Sequence, residues 1–268
     1  MPNVSIHSRK STSSGYEREI EGFLRTDFGL DEATCIPFSC GKHWVSTPLK
    51  VVGRTGEEEQ LYAAKVITAE GLNVHQRIIT NKNARFVRNG VFDIAFDGSA
   101  SAYELLQLEA RFLRKAKRAN ISVPTPLEVL KLTVGAALIM EFIEGVPLER
   151  VKISEHALNA VFRLIKQLRG RKLVHGDVRR DNFIMTGEHE LCVIDYLHLA
   201  GDIKRALDYD MTSALCHLSL SVGPAIVLEA ARAYLSTAEL RGAVPFVNFI
   251  TQRLTNRDRA QILQTILA

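Results

Sequence analysis

The chain has 268 residues, 46% hydrophobic and 24% charged, with a formal net charge of +4. That length makes one large domain or two lobes sharing a cleft, with a core large enough to need neither disulfides nor structural metal. The mild positive charge agrees with an anionic substrate such as a nucleotide but does not by itself argue for one. No apolar run reaches membrane-spanning length, and the N-terminus carries no apolar signal core, so no stable membrane insertion is expected. Cys35, Cys40, Cys192 and Cys216 form no Cys-x-x-Cys pair and no zinc spacing. Free thiols fit a reducing compartment, which predicts a cytoplasmic protein.

Residues 1–15 are polar and serine-rich and read as a flexible tail. Residues 16–30 predict a short helix with Ile20, Phe23 and Leu24 on one side. Short strands interrupted by turns follow over 36–67, and 61–67 is the clearest of them. Lys65 sits there among apolar neighbours, either on a solvent face or as a functional cation. Residues 71–98 are weakly periodic and basic, with Arg77, Lys82, Arg85 and Arg88. They predict a long surface loop with a strand fragment over 91–96, in preference to a phosphate-facing flap.

Ser101 and Glu104 form a capping-box pattern that starts a helix running to about Ala119, with Asn120 as a left-handed stop. Its apolar stripe is Leu105, Leu108, Phe112, Leu113 and Ala116, and Glu109 falls inside it. A carboxylate on a buried face must find a cation or lose its charge. Lys65 is the natural partner; the other reading lets Glu109 snorkel to the stripe's edge. Arg111, Arg114, Lys115, Lys117 and Arg118 lie mostly outside the stripe as a solvated face, which ranks a nucleic-acid partner last.

Two strands are expected over 127–132 and 136–142, then a break at 144–147 that suggests a hinge between an N-lobe, 16–143, and a C-lobe, 144–268. Ser154 caps a helix ending near Gly170. The polar loop in 174–185 holds a candidate proton acceptor, Asp177, and a candidate metal ligand, Asn182. Apolar residues bracket it: Leu173 and Val174 before, Phe183 to Met185 after, read as two short buried strands. After a turn at 186–190, a third apolar run delivers Asp195 at its end. Kinases use this layout to hold magnesium and nucleotide phosphates. The remainder, from about 203 to 268, reads as helical with a break at 242–245.

Together these residues resemble the protein-kinase-like superfamily. His175-Gly-Asp-Val-Arg-Arg-Asp-Asn182 resembles its catalytic loop, Asp195 its metal-binding acid, Lys65 its strand lysine and Glu109 the helix partner of that lysine. Residues 108–126 and 138–145 are similar to the RIO kinases and to the small kinase of the tRNA-threonylcarbamoylation complex. Residues 194–210 look like the bacterial lipopolysaccharide-core sugar kinases. The resemblance implies an α+β, two-lobed protein-kinase-like fold, with a small β-rich N-lobe containing one main helix and a mostly helical C-lobe.

It also implies ATP and Mg2+ as cofactors. Lys65 would hold the α- and β-phosphates, oriented by Glu109. Asn182 and Asp195 would bind magnesium, and Asp177 would accept the proton of an attacking hydroxyl. Adenine would lie between Ala63 and Ile184, with Met140 behind it, Ile194 among the apolar neighbours, and the backbones of Glu141 and Ile143 at its edge. Arg179, where protein kinases often carry lysine, would serve the transferring phosphate, in preference to merely facing solvent. His175 would hold the loop by hydrogen bonds. Asp181 would cap a turn, and Asp208 and Asp210 would brace the loop or start a helix.

The chain departs from the family pattern in three places. No Gly-x-Gly-x-x-Gly precedes Lys65, so phosphate contacts there fall to Lys42 or a backbone amide, or are missing; Tyr196 and Leu197 follow Asp195 in place of Phe-Gly; and Arg179 replaces the usual lysine. No Ala-Pro-Glu appears either, which argues against a peptide-docking platform. The expected activity is phosphoryl transfer to a protein serine or threonine or to a lipopolysaccharide-core-type sugar. The alternative is a nucleotide-binding pseudokinase or ATPase scaffold in a protein or ribonucleoprotein assembly.

Overall fold

The computed structural model describes residues 15–38, 45–187, 190–250 and 255–267. The expected tail therefore lies, apart from Gly15, outside the described residues, as do Cys40 and Lys42.

Helix α1 (Gly15–Asp27) leads into strands β1 (Glu32–Pro37), β2 (Thr47–Thr55) and β3 (Glu58–Thr68). Helix α2 (Ala69–Arg88) and strand β4 (Ile94–Phe96) follow, then α3 (Ala102–Arg118), β5 (Pro126–Leu132) and β6 (Gly135–Glu141). Five of the strands form an antiparallel sheet in the order β1-β2-β3-β6-β5. Side chains alternate along a strand, so Ala64 and Val66 of β3 face α1, packing with Ile20, Leu24 and Val51. Ala63, Lys65 and Ile67 take the opposite face, toward α3. Because α1 covers one face and α3 the other, β6 is buried from Ala136 to Met140. The solvent-face reading of Lys65 fails for the same reason.

Ser101 and Glu104 close the expected capping box on α3, and Asn120 has the left-handed backbone expected of a stop, φ 58°. The buried stripe of α3 includes Leu106 and Ala110, while Leu108 is only half-buried.

The loop expected over 71–98 is instead mostly α2, capped by Thr68, whose side chain accepts from the Gly71 amide. Its buried positions His75, Ile79 and Phe86 keep helical spacing with half-buried Leu72. Two polar groups, His75 and Asn83, occupy that face and hide the stripe. Asn83 clamps β4 through both backbone groups of Phe96, at 2.8 and 2.9 Å. Phe86 stacks on Phe96 and Phe249, with ring centroids 5.5 and 4.2 Å apart, and meets Tyr209 and Phe246 edge-on. Arg85 donates to the Phe249 carbonyl and lies over its ring. Thus α2 starts on the sheet and docks on the helical half.

That half begins with β7 (Val146–Pro147), which pairs with β8 (Phe183–Met185), itself paired with β9 (Leu191–Val193). Gly145 lets the incoming chain cross closely: a Cβ there would stand 2.3 Å from the Met185 carbonyl oxygen. Helix α4 (Glu155–Gly170) starts at the expected Ser154 cap and buries the expected Leu158, Val161, Phe162, Ile165 and Leu168. Strand β10 (Leu199–Gly201) pairs with β4, and α5 (Ile203–Val222), α6 (Pro224–Arg232), α7 (Thr237–Arg241), α8 (Val244–Ile250) and α9 (Asn256–Leu267) complete the chain. One continuous core runs from Leu138 and Leu113 under the sheet to Phe162, Phe183, Leu215 and Ile262 among the helices. No helix among the described residues is long and apolar enough to cross a membrane.

Two further expectations are corrected. Leu173 and Val174 form no strand; they run unpaired into the polar loop. Neither Asp208 nor Asp210 starts a helix: Asp202 caps α5 by accepting from the Arg205 amide, and both aspartates lie inside it.

Because α2 docks through one aromatic cluster, Phe86→Ala should lower stability by about 3–5 kcal/mol in a denaturant titration. A cost below about 1 kcal/mol would show that α2 is not held there.

Candidate active site

Three elements far apart in sequence place the first group of charges. Lys65 Nζ lies 2.7 Å from Glu109 Oε2, and the two side chains are only 12% and 4% exposed. The same ammonium bonds the Asp195 carboxylate just beyond β9. Burial disfavours the ammonium, but the charges and hydrogen bonds of Asp195 and Glu109 overcome that and raise its pKa. Glu109 thus finds its cation and does not snorkel. Asp195 holds a left-handed backbone, φ 64°, which costs a residue with a Cβ about 1–3 kcal/mol. Tyr196 beside it stacks on Phe112 of α3, centroids 4.1 Å apart, and locks the segment to the helix carrying Glu109.

The polar loop is braced from α5. Asp210 accepts from the His175 amide at 2.6 Å and the Gly176 amide at 2.8 Å, while Ser213 donates to the Val178 carbonyl at 2.8 Å. Gly176 has φ +81°, and a Cβ there would sit 1.9 Å from the Leu197 carbonyl oxygen, so only glycine allows this approach. Burial raises the Asp210 pKa to about 7 against the pull of the two amides. The His175 ring bonds the Ile194 carbonyl at 2.9 Å through Nε2, and Nδ1 accepts from the Asp177 amide at 3.3 Å. That is a neutral, loop-holding histidine, and burial lowers its pKa.

The second group of charges centres on Asp177. Asn182 Nδ2 lies 3.1 Å from its Oδ2 and 2.8 Å from its carbonyl. Arg179 Nε stands 3.4 Å from Oδ2 without hydrogen-bond alignment, and Arg179 also pairs with Asp181, which caps no turn. Lys82 Nζ, from α2, is 3.4 Å from Oδ1 and sits over the Phe96 ring at 4.6 Å. Burial pushes the Asp177 carboxyl up, but Lys82, Arg179, His175 and the Asn182 amide bring it down to about 2. The two groups adjoin, because the Ile194 amide donates to the Asn182 carbonyl at 3.0 Å and so sets Asn182 beside Asp195.

The apolar candidates lie on β3, β6 and β8 and just beyond β6 and β9. Ala63 and Met140 are register partners, and Ile184 faces Cys192. Ala63, Ile143, Ile184 and Ile194 are half-buried, leaving surface for a ligand, whereas Glu141 has already committed its amide to the Thr125 carbonyl at 2.9 Å. A separate cavity of about 650 Å³, lined by Lys166, Arg169, Lys172, Lys204 and Glu239 among others, includes none of these residues.

Sequence reasoning placed Lys82 only in the less favoured phosphate-facing flap, and missed His75, Ser213 and Arg180. The Arg180 guanidinium ties the loop to the carbonyls of Leu148, Glu149 and Val151. Only the Leu72-His75-Ile79-Phe86 spacing pointed toward His75.

Two outcomes follow from this geometry. Lys65→Met leaves Glu109 buried without its cation and should cost about 3–5 kcal/mol, whereas Lys65→Met combined with Glu109→Leu should be no less stable than the single variant. Simple addition of the two costs would refute the pairing. Secondly, burial, then Lys65 and Lys82, lower the His75 pKa from 6.5 to about 4, with only Asp195 opposing. The unfolded chain takes up that proton first, so stability should fall as pH drops from about 6.5 to about 4, by about 3 kcal/mol. Melting curves of His75→Gln should lack that component; an unchanged acid limb would contradict it.

The RIO domain matches residues 57–198, from β3 through the segment after Asp195. The protein named probable bifunctional tRNA threonylcarbamoyladenosine biosynthesis protein of Methanosarcina acetivorans is 33% identical over 88 residues, and that of Methanosarcina mazei 34% over 88. The matched stretch is 33% of this chain and 15% of either relative, so the chain spans under a sixth of their length. Among solved structures, a protein named as a fructosamine-3-kinase from Haemophilus somnus 129PT superposes with a TM-score of 0.48 at 10% identity, covering 92% of this chain and 95% of that one. With more than half of its residues matched, the chain belongs to the RIO domain family of kinase-like proteins.

Proposed function

We propose that the chain is an ATP- and magnesium-dependent phosphotransferase that moves a γ-phosphoryl group to a hydroxyl. The observation that carries this reading is the junction of two charge groups on one front: Lys65 held by Glu109 and Asp195, beside Asp177 held by Asn182 and Arg179. In this reading the nucleotide lies between the two lobes, against Ala63, Met140, Ile143 and the carbonyl of Glu141 from 16–143 and against Ile184 and Ile194 from 144–268, and Lys65 of the first lobe meets Asp177, Arg179, Asn182 and Asp195 of the second. The free Cys35, Cys192 and Cys216 fit a cytoplasmic setting.

The residues suit magnesium. Asn182 and Asp195 carry hard oxygen donors on segments that the Ile194–Asn182 backbone hydrogen bond holds together. Magnesium needs only one or two side-chain oxygens alongside phosphates and water. When bound it neutralises charge on the phosphates.

Lys65 orients the phosphates, and its ion pair with Glu109 fixes where the ammonium points. Asp177 is ionised throughout the working range, so it orients the acceptor hydroxyl and takes its proton without titrating near neutrality. Arg179 offers a cation to the transferred group.

The acceptor is a protein serine or threonine or a sugar hydroxyl. The names of the Methanosarcina relatives favour a setting in tRNA threonylcarbamoyladenosine biosynthesis. A second reading, an ATPase within such an assembly, is favoured by Lys82 standing against the Asp177 oxygen that a hydroxyl would use.

Labelled ATP, followed by separation of protein, sugar and free phosphate, tests both readings. Label on an acceptor supports transfer, label only in free phosphate supports the ATPase, and no turnover defeats both. Asp177→Asn should lower turnover at least about a hundredfold while leaving nucleotide affinity intact.

A further inference from the structure

Helix α2 lies between Lys65 and the polar loop, and no role falls to it in the reading above. It leaves β3 directly after Lys65 and is pinned at its far end by Phe86 and Arg85. His75 and Lys82 lie about two turns apart on it and therefore share a face. Lys82 reaches the Asp177 carboxylate, held over the Phe96 ring. His75 is 6% exposed, yet its Nε2 has no hydrogen-bond partner, and the charges of Lys65, Lys82 and Asp195 all act on it. A buried ring nitrogen left unpaired is unfavourable, and a hydrogen bond to a ligand atom would satisfy it. The stretch ahead of Lys65 has no Gly-x-Gly-x-x-Gly to supply amides to phosphates.

We propose that α2 is a phosphate-binding wall of the site, with Lys82 and His75 contacting the terminal phosphate of the bound nucleoside triphosphate. On entry of that phosphate, the Lys82 ammonium exchanges the Asp177 carboxylate for phosphoryl oxygens. This uncovers Asp177 Oδ1 for the acceptor hydroxyl, so the nucleotide binds before the acceptor. The inference rests on the phosphotransferase reading and adds a recognition element to it: selection of triphosphate over diphosphate.

Calorimetric titration of the full chain with magnesium ADP and with the magnesium complex of β,γ-imido-ATP tests this. Lys82→Ala should weaken the triphosphate analogue by about tenfold or more and shift ADP by less than about twofold, since one charge-assisted contact is lost. Lys82→Arg should recover most of that loss, and His75→Phe should show the same selective weakening. Retained ADP binding also establishes that each variant is folded. If Lys82→Ala weakens both nucleotides equally, or neither, the wall is refuted while the phosphotransferase reading stands. Wild-type chain that binds neither nucleotide would overturn both.

Discussion

The buried ammonium of Lys65 is the constraint on which the arrangement depends. A charge so enclosed is tolerated only beside counter-charges, and here they come from two other elements, Glu109 on α3 and Asp195 after β9. Satisfying it fixes the face of β3 that looks inward, the rotation of α3 and the endpoint of β9 together. The left-handed backbone at Asp195 persists because Lys65 on one side and the Phe112–Tyr196 stack on the other over-determine it.

A second, independent frame supports Asp177. The loop has little backbone pairing of its own, so its amides turn to Asp210 and one of its carbonyls to Ser213, both on one buried face of α5. Gly176 lets the loop press against Leu197, and the His175 ring ties it to Ile194. The position of Asp177 is therefore set by the core of the helical half, and the position of Lys65 by the sheet. The Ile194–Asn182 hydrogen bond joins the two frames.

Much of this was legible in the sequence where local chemistry and global fold agree. The caps at Ser101 and Ser154, the stop at Asn120 and the inward Glu109 each follow from a rule acting within a few residues. The kinase-like order of lysine, glutamate, loop and acid was legible through its resemblance to the protein-kinase-like superfamily. Legibility failed where tertiary packing overrode local pattern. α2 reads as a loop because buried His75 and half-buried Asn83 take positions on the inward face that an amphipathic helix usually gives to apolar side chains, and their reason lies in β4 and the site. Leu173 and Val174 look like a strand but find no neighbour to pair with. The outer face of β3 could not be assigned without knowing that α1 lies over it.

Two of the joins between the halves of the chain differ in kind. One join is the extended linker around Gly145, pressed onto β8; the other is α2, a rod of about 30 Å by the ordinary helical rise. Thr68 caps its start against the sheet half, while Phe86 and Arg85 hold its far end on the helical half, so the register of one half is carried to the other along a single stiff element.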